Sequence, residues 1–222
     1  MRIIYILGTD GAGKTTQTRR LTQELRARGL RATYLYCQHR PFFLWLLKLP
    51  ARTLFMRKAD QFRNYDDYKA RKDAVTGRRP WLAQIYAWLW FFDVWMQTWP
   101  RVLWARCTSD VILLDRYYLD WVVNLGVFRG IEGEALFRDA RRLERVLPRA
   151  DLHIFLDVSE EVAFARKDDI QSVRYLRERK ERYLQIARAY NFHLVDADRS
   201  ADDVYAEVRK ISDGILPPLT ES

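Results

Sequence analysis

Cysteine and histidine are scarce in this chain of 222 residues: two cysteines, Cys37 and Cys107, and three histidines. Neither cysteine stands in a CxxC pair or beside clustered histidines, which argues against a disulfide framework and a zinc-type site. The same usage points to a reducing, cytoplasmic setting. A long apolar run is also missing. The greasiest stretch, residues 81–92, contains Gln84 and is closed by Asp93, short of the ~20 apolar residues that cross a bilayer. The run Ile3-Ile4-Tyr5-Ile6-Leu7 stops at Gly8, so it reads as a buried strand and not as the core of a secretory signal. No internal repeat, low-complexity tract or linker interrupts the chain.

What is present suits one folded α/β domain. Apolar residues make up 49% of the chain and charged residues 30%, the balance of a soluble globular protein. Lys and Arg outnumber Asp and Glu 38 to 29, a net charge of +9, which implies an anionic partner without naming it. Apolar runs at 2–7, 31–37, 110–115, 152–158 and 192–195 read as five strands. Helical patterns at 14–28, 81–106, 133–147, 159–167, 172–190 and 201–213 lie between and after them. Gly29 ends the first helix as a C-cap glycine does. Strands separated by helices imply a parallel sheet with right-handed crossovers. We expect a three-layer P-loop NTPase fold, with a five-stranded parallel sheet flanked by helices, over residues 1–213. The tail 214–222 is expected to be loose. Residues 40–79 begin apolar and turn charged, and read as a solvated helical excursion or as part of a ligand pocket.

The strongest signal is Gly8-Thr9-Asp10-Gly11-Ala12-Gly13-Lys14-Thr15, a full G-x-x-x-x-G-K-[ST] pattern between an apolar strand and a helix. Glycines let backbone N–H groups approach phosphate oxygens with no β-carbon in the way. The helix N-terminus adds partial positive charge at the same point. Lys14 is placed to reach the β- and γ-phosphates of ATP, and Thr15 to ligate Mg²⁺. Asp115 ends an apolar strand, where its carboxylate would face the nucleotide crevice and hold the metal, partly through water, or help position the acceptor. Arg116 follows, and a guanidinium grips a phosphate through two parallel hydrogen bonds.

These segments resemble the thymidylate kinase family of P-loop nucleotide kinases. The resemblance rests on the loop through Thr16, with its acidic Asp10, and on Asp115-Arg116-Tyr117. It is extended by Leu156-Asp157-Val158-Ser159-Glu160-Glu161-Val162-Ala163-Phe164-Ala165-Arg166 and by Tyr183-Leu184-Gln185-Ile186-Ala187. It implies a magnesium-dependent transfer from ATP to a nucleoside monophosphate, with thymidylate the leading acceptor. It places Gly8, Asp10, Gly11, Ala12, Gly13, Lys14, Thr15, Thr16 and Arg166 around ATP, and Arg116 on the acceptor phosphate. The catalytic set would be Lys14, Asp115, Arg116 and Arg166. The family puts a catalytic arginine either in the loop or in the lid. Gly11 occupies the loop position here, so a lid at about 166–172 is expected to supply the charge, from Arg166 first, then Lys167 or Arg174. Asp10, Arg40, Phe91, Trp95, Tyr117 and Asp120 complete the expected acceptor set.

The chain also departs from the family. Gln38-His39-Arg40-Pro41-Phe42 stands where an Arg-x-Pro segment is usual, and the stretch 91–97 lacks the base-contacting arginine. Trp88, Phe92, Trp95 and Trp99 share one helical face. The whole helix reads as buried nearly all round, as core, subunit interface or base-stacking platform, and a homodimer is expected. The arginines at 138, 141, 142, 145 and 149 alternate with Asp139 and Glu144, a solvated face and not a nucleic-acid stripe. A kinase of a hydroxyl acceptor remains the close alternative, with Asp10, Asp93 or Asp120 as base. The Asn/Thr-Lys-x-Asp guanine motif of a switch GTPase is absent from the sequence. A non-catalytic or nucleic-acid-binding relative is favoured only by the charge.

Overall fold

The computed structural model describes residues 1–38, 80–167 and 172–216. Five strands form one sheet: β1 (Arg2–Gly8), β2 (Ala32–Tyr36), β3 (Val111–Asp115), β4 (Leu152–Asp157) and β5 (His193–Asp196). Their order is β2-β3-β1-β4-β5, and every pairing is parallel. The described helices are α1 (Lys14–Ala27), α2 (Pro80–Thr108), α3 (Tyr118–Arg129), α4 (Gly133–Glu144), α5 (Glu160–Ala165), α6 (Val173–Ala189) and α7 (Ala201–Asp213). The expected α/β architecture is therefore present.

Strand alternation builds two cores, because successive side chains leave opposite faces of a strand. Ile3, Tyr5 and Leu7 of β1 pack with residues of α2, α3, α4 and α6. Ile4 and Ile6 pack with Leu21 and Leu25 of α1, Ala163 of α5 and Val204 and Val208 of α7. The central strand is thus apolar on both sides, which is why it reads as a continuous run. Its carboxyl end opens between β3 and β4, the position at which ligands enter such sheets.

Two expectations need correction. Helix α3 covers residues 118–129, where the sequence reading placed no element. Its face-to-face pattern is blurred, since Tyr118, Leu119, Trp121, Val122, Val123, Leu125 and Val127 are all buried, so no helical period stands out. Its one punctuation mark is Gly130, a left-handed C-cap with φ 67°. Helix α2, expected to be buried nearly all round, buries Asp93, Val94, Thr98, Val102 and Ala105 instead. Its aromatic stripe faces outward: Trp88 is 62% exposed, Phe92 49% and Trp104 66%. The small and β-branched side chains let α2 approach the sheet; Trp90 and Trp95 pack partly against the core, while Trp88, Trp99 and Trp104 are left exposed.

Candidate phosphate-binding site

The loop between β1 and α1 is shaped by two glycines. Gly13 caps α1 with φ 83°, a left-handed conformation that a β-carbon makes unfavourable. Gly11 has φ 86°, and a β-carbon on it would lie 2.4 Å from the carbonyl oxygen of Ala163 in α5. Lys14 is buried, and its Nζ donates to the Thr9 carbonyl at 2.6 Å. The lysine is thus folded across its own loop. Burial, and then the charge of Arg116, push its ammonium below the ordinary lysine range.

Thr15 and Asp115 meet as the sequence implied. The Thr15 hydroxyl donates to Asp115 Oδ2 at 2.6 Å, and the Tyr34 hydroxyl donates to the same oxygen at 3.0 Å. Asp115 is fully buried, and its Oδ1 has no hydrogen-bond partner among the described residues. A buried carboxylate oxygen left open beside a hydroxyl fits a hard divalent cation. Among the described residues no group of three or more His, Cys, Asp or Glu could hold a metal ion. Magnesium suits such a site, because it is commonly held by one or two protein oxygens together with substrate phosphates and water.

Beside this pair, Arg116 Nη2 donates to Asp10 Oδ1. Arg116 is one of two non-glycine residues with positive φ among the described residues, at 59°. Such a conformation is sparsely populated, and it persists where surrounding structure imposes it. Burial by itself would raise the Asp10 carboxyl. The charges of Arg116 and then Lys14 override it and hold Asp10 well below the usual carboxylate range. Lys167 adds to that field.

The loop residues, Lys14, Thr15, Asp115, Arg116 and Asp10 therefore converge at the carboxyl ends of β1 and β3. Gly8 closes β1 against Leu156 of β4, Ala12 is buried, and Thr16 is exposed on the first turn of α1. Other expected site residues lie elsewhere. The Arg166 guanidinium donates to the carbonyls of Ala197 at 2.8 Å and Arg199 at 3.4 Å, so it lies on the loop after β5. Tyr117 and Asp120 depart from the expected acceptor contact. Tyr117 is fully buried with its hydroxyl on the Pro148 carbonyl, and Asp120 is 1% exposed beneath two tyrosines. Both side chains point back under the helix that follows Arg116. Phe91 lines a cavity of about 250 Å³ with Trp88, Val122, Leu125, Arg129 and Leu143, none of them a cradle residue. Trp95 lies along α2 between Phe92 and Trp99, its ring tilted against theirs with centroids 6.3 and 6.1 Å away. Arg40 and residues 168–171, where the lid was expected, lie outside the described residues.

Sequence reasoning missed a second group. Tyr175 of α6 donates its hydroxyl to Asp10 Oδ2 at 3.4 Å. The Arg179 guanidinium lies over the Tyr175 ring, 3.5 Å from its centroid, and its Nε donates to Asn124 Oδ1 of α3 at 3.1 Å. The available signal was the i, i+4 spacing of Tyr175 and Arg179, which puts both on one helix face. Nothing in the sequence says that this face turns toward Asp10.

No family model matches the chain. A probable thymidylate kinase of Archaeoglobus fulgidus is 24% identical over 220 residues, covering 96% of each chain. The thymidylate kinase of Xanthomonas oryzae pv. oryzae is 28% identical over 215 residues, 94% of this chain and 82% of that protein. Probable thymidylate kinase 1 of Saccharolobus solfataricus is 32% identical over 108 residues, 46% of this chain; the match spans about half, 54%, of that relative's length. The chain is distantly homologous to thymidylate kinases across nearly its full length.

Proposed function

We propose that the chain transfers the γ-phosphoryl group of ATP to a nucleoside monophosphate, with thymidylate as the leading acceptor. The observation that carries this reading is the Asp10–Arg116 ion pair set beside Lys14 at the end of β1. An arginine held in the cleft by a carboxylate is ready to exchange that carboxylate for the phosphate of an acceptor, which presents the same charge and geometry. The relatives named above are described as thymidylate kinases, and the parallel sheet with its loop at the strand ends agrees with that chemistry.

In this reading Lys14 leaves the Thr9 carbonyl to reach the ATP phosphates, and loop N–H groups hold them. Thr15 and Asp115 would hold magnesium, which supplies charge neutralisation on the transferring phosphoryl group. Arg116 orients the acceptor phosphate in line. Lys167, whose charge helps lower the Asp10 carboxyl, would serve as the lid cation, while Arg166 steadies the nucleotide end of the site beside residues 197–199. Little covalent work is left to the protein; positioning and charge supply the rate.

A hydroxyl acceptor would need a free general base. Asp10 is held as a carboxylate of low basicity, Asp93 is buried, and Asp120 is buried with both oxygens accepting from tyrosine hydroxyls. The exposed aromatic stripe of α2 supports a homodimer, since an apolar face of this kind is usually covered by a partner. Among the described residues no helix is long and apolar enough to cross a membrane.

The test is ADP release from Mg-ATP against a panel of nucleoside monophosphates, nucleosides and sugars. Stimulation by one monophosphate is expected. Stimulation only by a nucleoside or sugar would overturn the phosphate-acceptor reading, and no stimulation by any acceptor would overturn the kinase reading for these substrates.

A further inference from the structure

A third residue enters the corner formed by Thr15 and Asp115. Asp115 is fully buried, and a carboxylate so placed needs donors from inside the protein. Two hydroxyls supply them, and both go to the same oxygen: Thr15 at 2.6 Å and Tyr34 at 3.0 Å donate to Oδ2. Oδ1 has no hydrogen-bond partner among the described residues. Were the hydroxyls there only to offset burial, one on each oxygen would serve better, because an unmet buried acceptor carries the full cost of leaving water. The asymmetry keeps Oδ1 open.

Tyr34 is not the nearest candidate on its strand. In the parallel register of β2 and β3, Tyr34 stands opposite Leu113 and Tyr36 opposite Asp115. Alternate residues share one face of a sheet, and Ala32 and Leu113 pack with Leu21 and Leu25 of α1, so Tyr34, Tyr36 and Asp115 belong to the α1 face. Tyr36, the lateral neighbour, turns outward instead. It is 37% exposed, and its hydroxyl donates to Gln38 Oε1. Tyr34, one residue pair back, reaches forward to the carboxylate. Its ring also meets Arg19 of α1, whose guanidinium carbon lies 5.5 Å from the ring centroid, within cation–π range. Arg19 stands one helical turn beyond Thr15. The carboxylate of β3 is thus gripped by hydroxyls from α1 and from β2.

Thr15 cannot fix that carboxylate alone. Its hydroxyl has one proton, which goes to Oδ2 and leaves the lone pairs for a cation. A single hydrogen bond still lets the carboxylate turn about its Cβ–Cγ bond. A second donor on the same oxygen, anchored on a different element, limits that turn. We infer that Tyr34 is a positioning residue for the metal: by holding Asp115 Oδ2 from β2, it keeps Oδ1 open and fixed in direction for a divalent cation or a water bound to one. This role rests on the reading of Thr15 and Asp115 as metal-holding residues, and not on the identity of the acceptor.

The test is Tyr34→Phe in the full-length protein, which removes the hydroxyl and keeps the ring that Arg19 meets. Mn²⁺ is the probe. It is titrated into a complex in which excess protein keeps ADP bound, and free Mn²⁺ is read by electron paramagnetic resonance. We expect Mn²⁺ to bind about tenfold more weakly than in the wild-type complex. Metal-free ADP affinity should stay within about twofold, and Tm should fall by no more than about 2–4 °C, as for one lost hydrogen bond. Tyr36→Phe removes a hydroxyl from the same strand face and should leave Mn²⁺ affinity within about twofold of wild type. A lower Tm in Tyr34→Phe with Mn²⁺ affinity unchanged overturns the inference. So does equal weakening in Tyr34→Phe and Tyr36→Phe, or an equal loss of metal-free ADP affinity. If the wild-type complex holds Mn²⁺ no more tightly than free ADP does, the metal site falls and the inference with it. Absence of acceptor turnover in a protein that does hold the ion sinks only the kinase reading.

Discussion

Gly11 packs so closely on Ala163 that a β-carbon would stand 2.4 Å from its carbonyl oxygen and 2.8 Å from its Cα. The loop between β1 and α1 and helix α5 therefore touch backbone to backbone. This gives a physical reason why no charged side chain occupies position 11: there is no room for one. Gly11→Ala should push α5 away from the loop and force a strained φ. We expect Mg-ATP affinity to fall by more than about tenfold and Tm to drop, read by calorimetry and thermal unfolding.

Loss of either cation at the phosphates should abolish turnover in a folded protein. Lys14→Ala and Arg116→Ala are each expected to lower kcat by about 10²–10³, with circular dichroism unchanged. Arg116→Ala should also raise the acceptor KM, whereas Lys14→Ala should weaken ATP. Near-normal rates in either variant would remove the assignment.

The open Oδ1 of Asp115 predicts a metal phenotype. Asp115→Asn and Thr15→Ala should both raise the magnesium concentration needed for half-maximal rate, by about tenfold or more. The readout is initial rate against magnesium at fixed ATP. Asp115→Asn should have the larger effect, because it removes charge as well as a ligand.

The two lid cations should separate kinetically. Arg166 is bonded to the carbonyls of Ala197 and Arg199, so Arg166→Ala is expected to raise the ATP KM with a modest change in kcat. Lys167 acts on Asp10, so Lys167→Ala is expected to lower kcat about tenfold or more with ATP KM little changed. The opposite pattern would restore Arg166 as the transition-state cation.

Stability should depend on pH through His153. Its ring stacks on Phe192 at 4.7 Å, its Nε2 lacks a hydrogen-bond partner among the described residues, and burial pushes the imidazole down to about 4 from its ordinary 6.5. The unfolded chain takes up the proton first as pH falls. The contribution is therefore complete above pH 6.5 and is lost toward about 4, at up to about 1.4 kcal/mol per pH unit. His153→Phe removes the titrating group, so its Tm should fall less than that of wild type across this interval.

The sequence by itself determined the class of the molecule and part of its candidate site. Apolar runs bounded by turns fix a parallel α/β sheet, because strands buried on both faces leave a continuous hydrophobic trace. The loop from Gly8 to Thr15 is legible because its chemistry is local: glycines, one lysine and one hydroxyl within eight consecutive residues. Asp115 and Arg116 were legible because the end of a parallel strand has a known address. Only the tertiary structure decided the rest. It turned Asp120 and Tyr117 inward and swung Arg166 onto the loop after β5. It brought Tyr175 of α6 to Asp10, across 165 positions of sequence. It also left Trp88, Trp99 and Trp104 of α2 exposed, on a helix that read as buried nearly all round. Each of these depends on which face of a helix meets which neighbour. Helical periodicity cannot supply that where a helix such as α3 is apolar on nearly every side, and packing against the sheet then chooses.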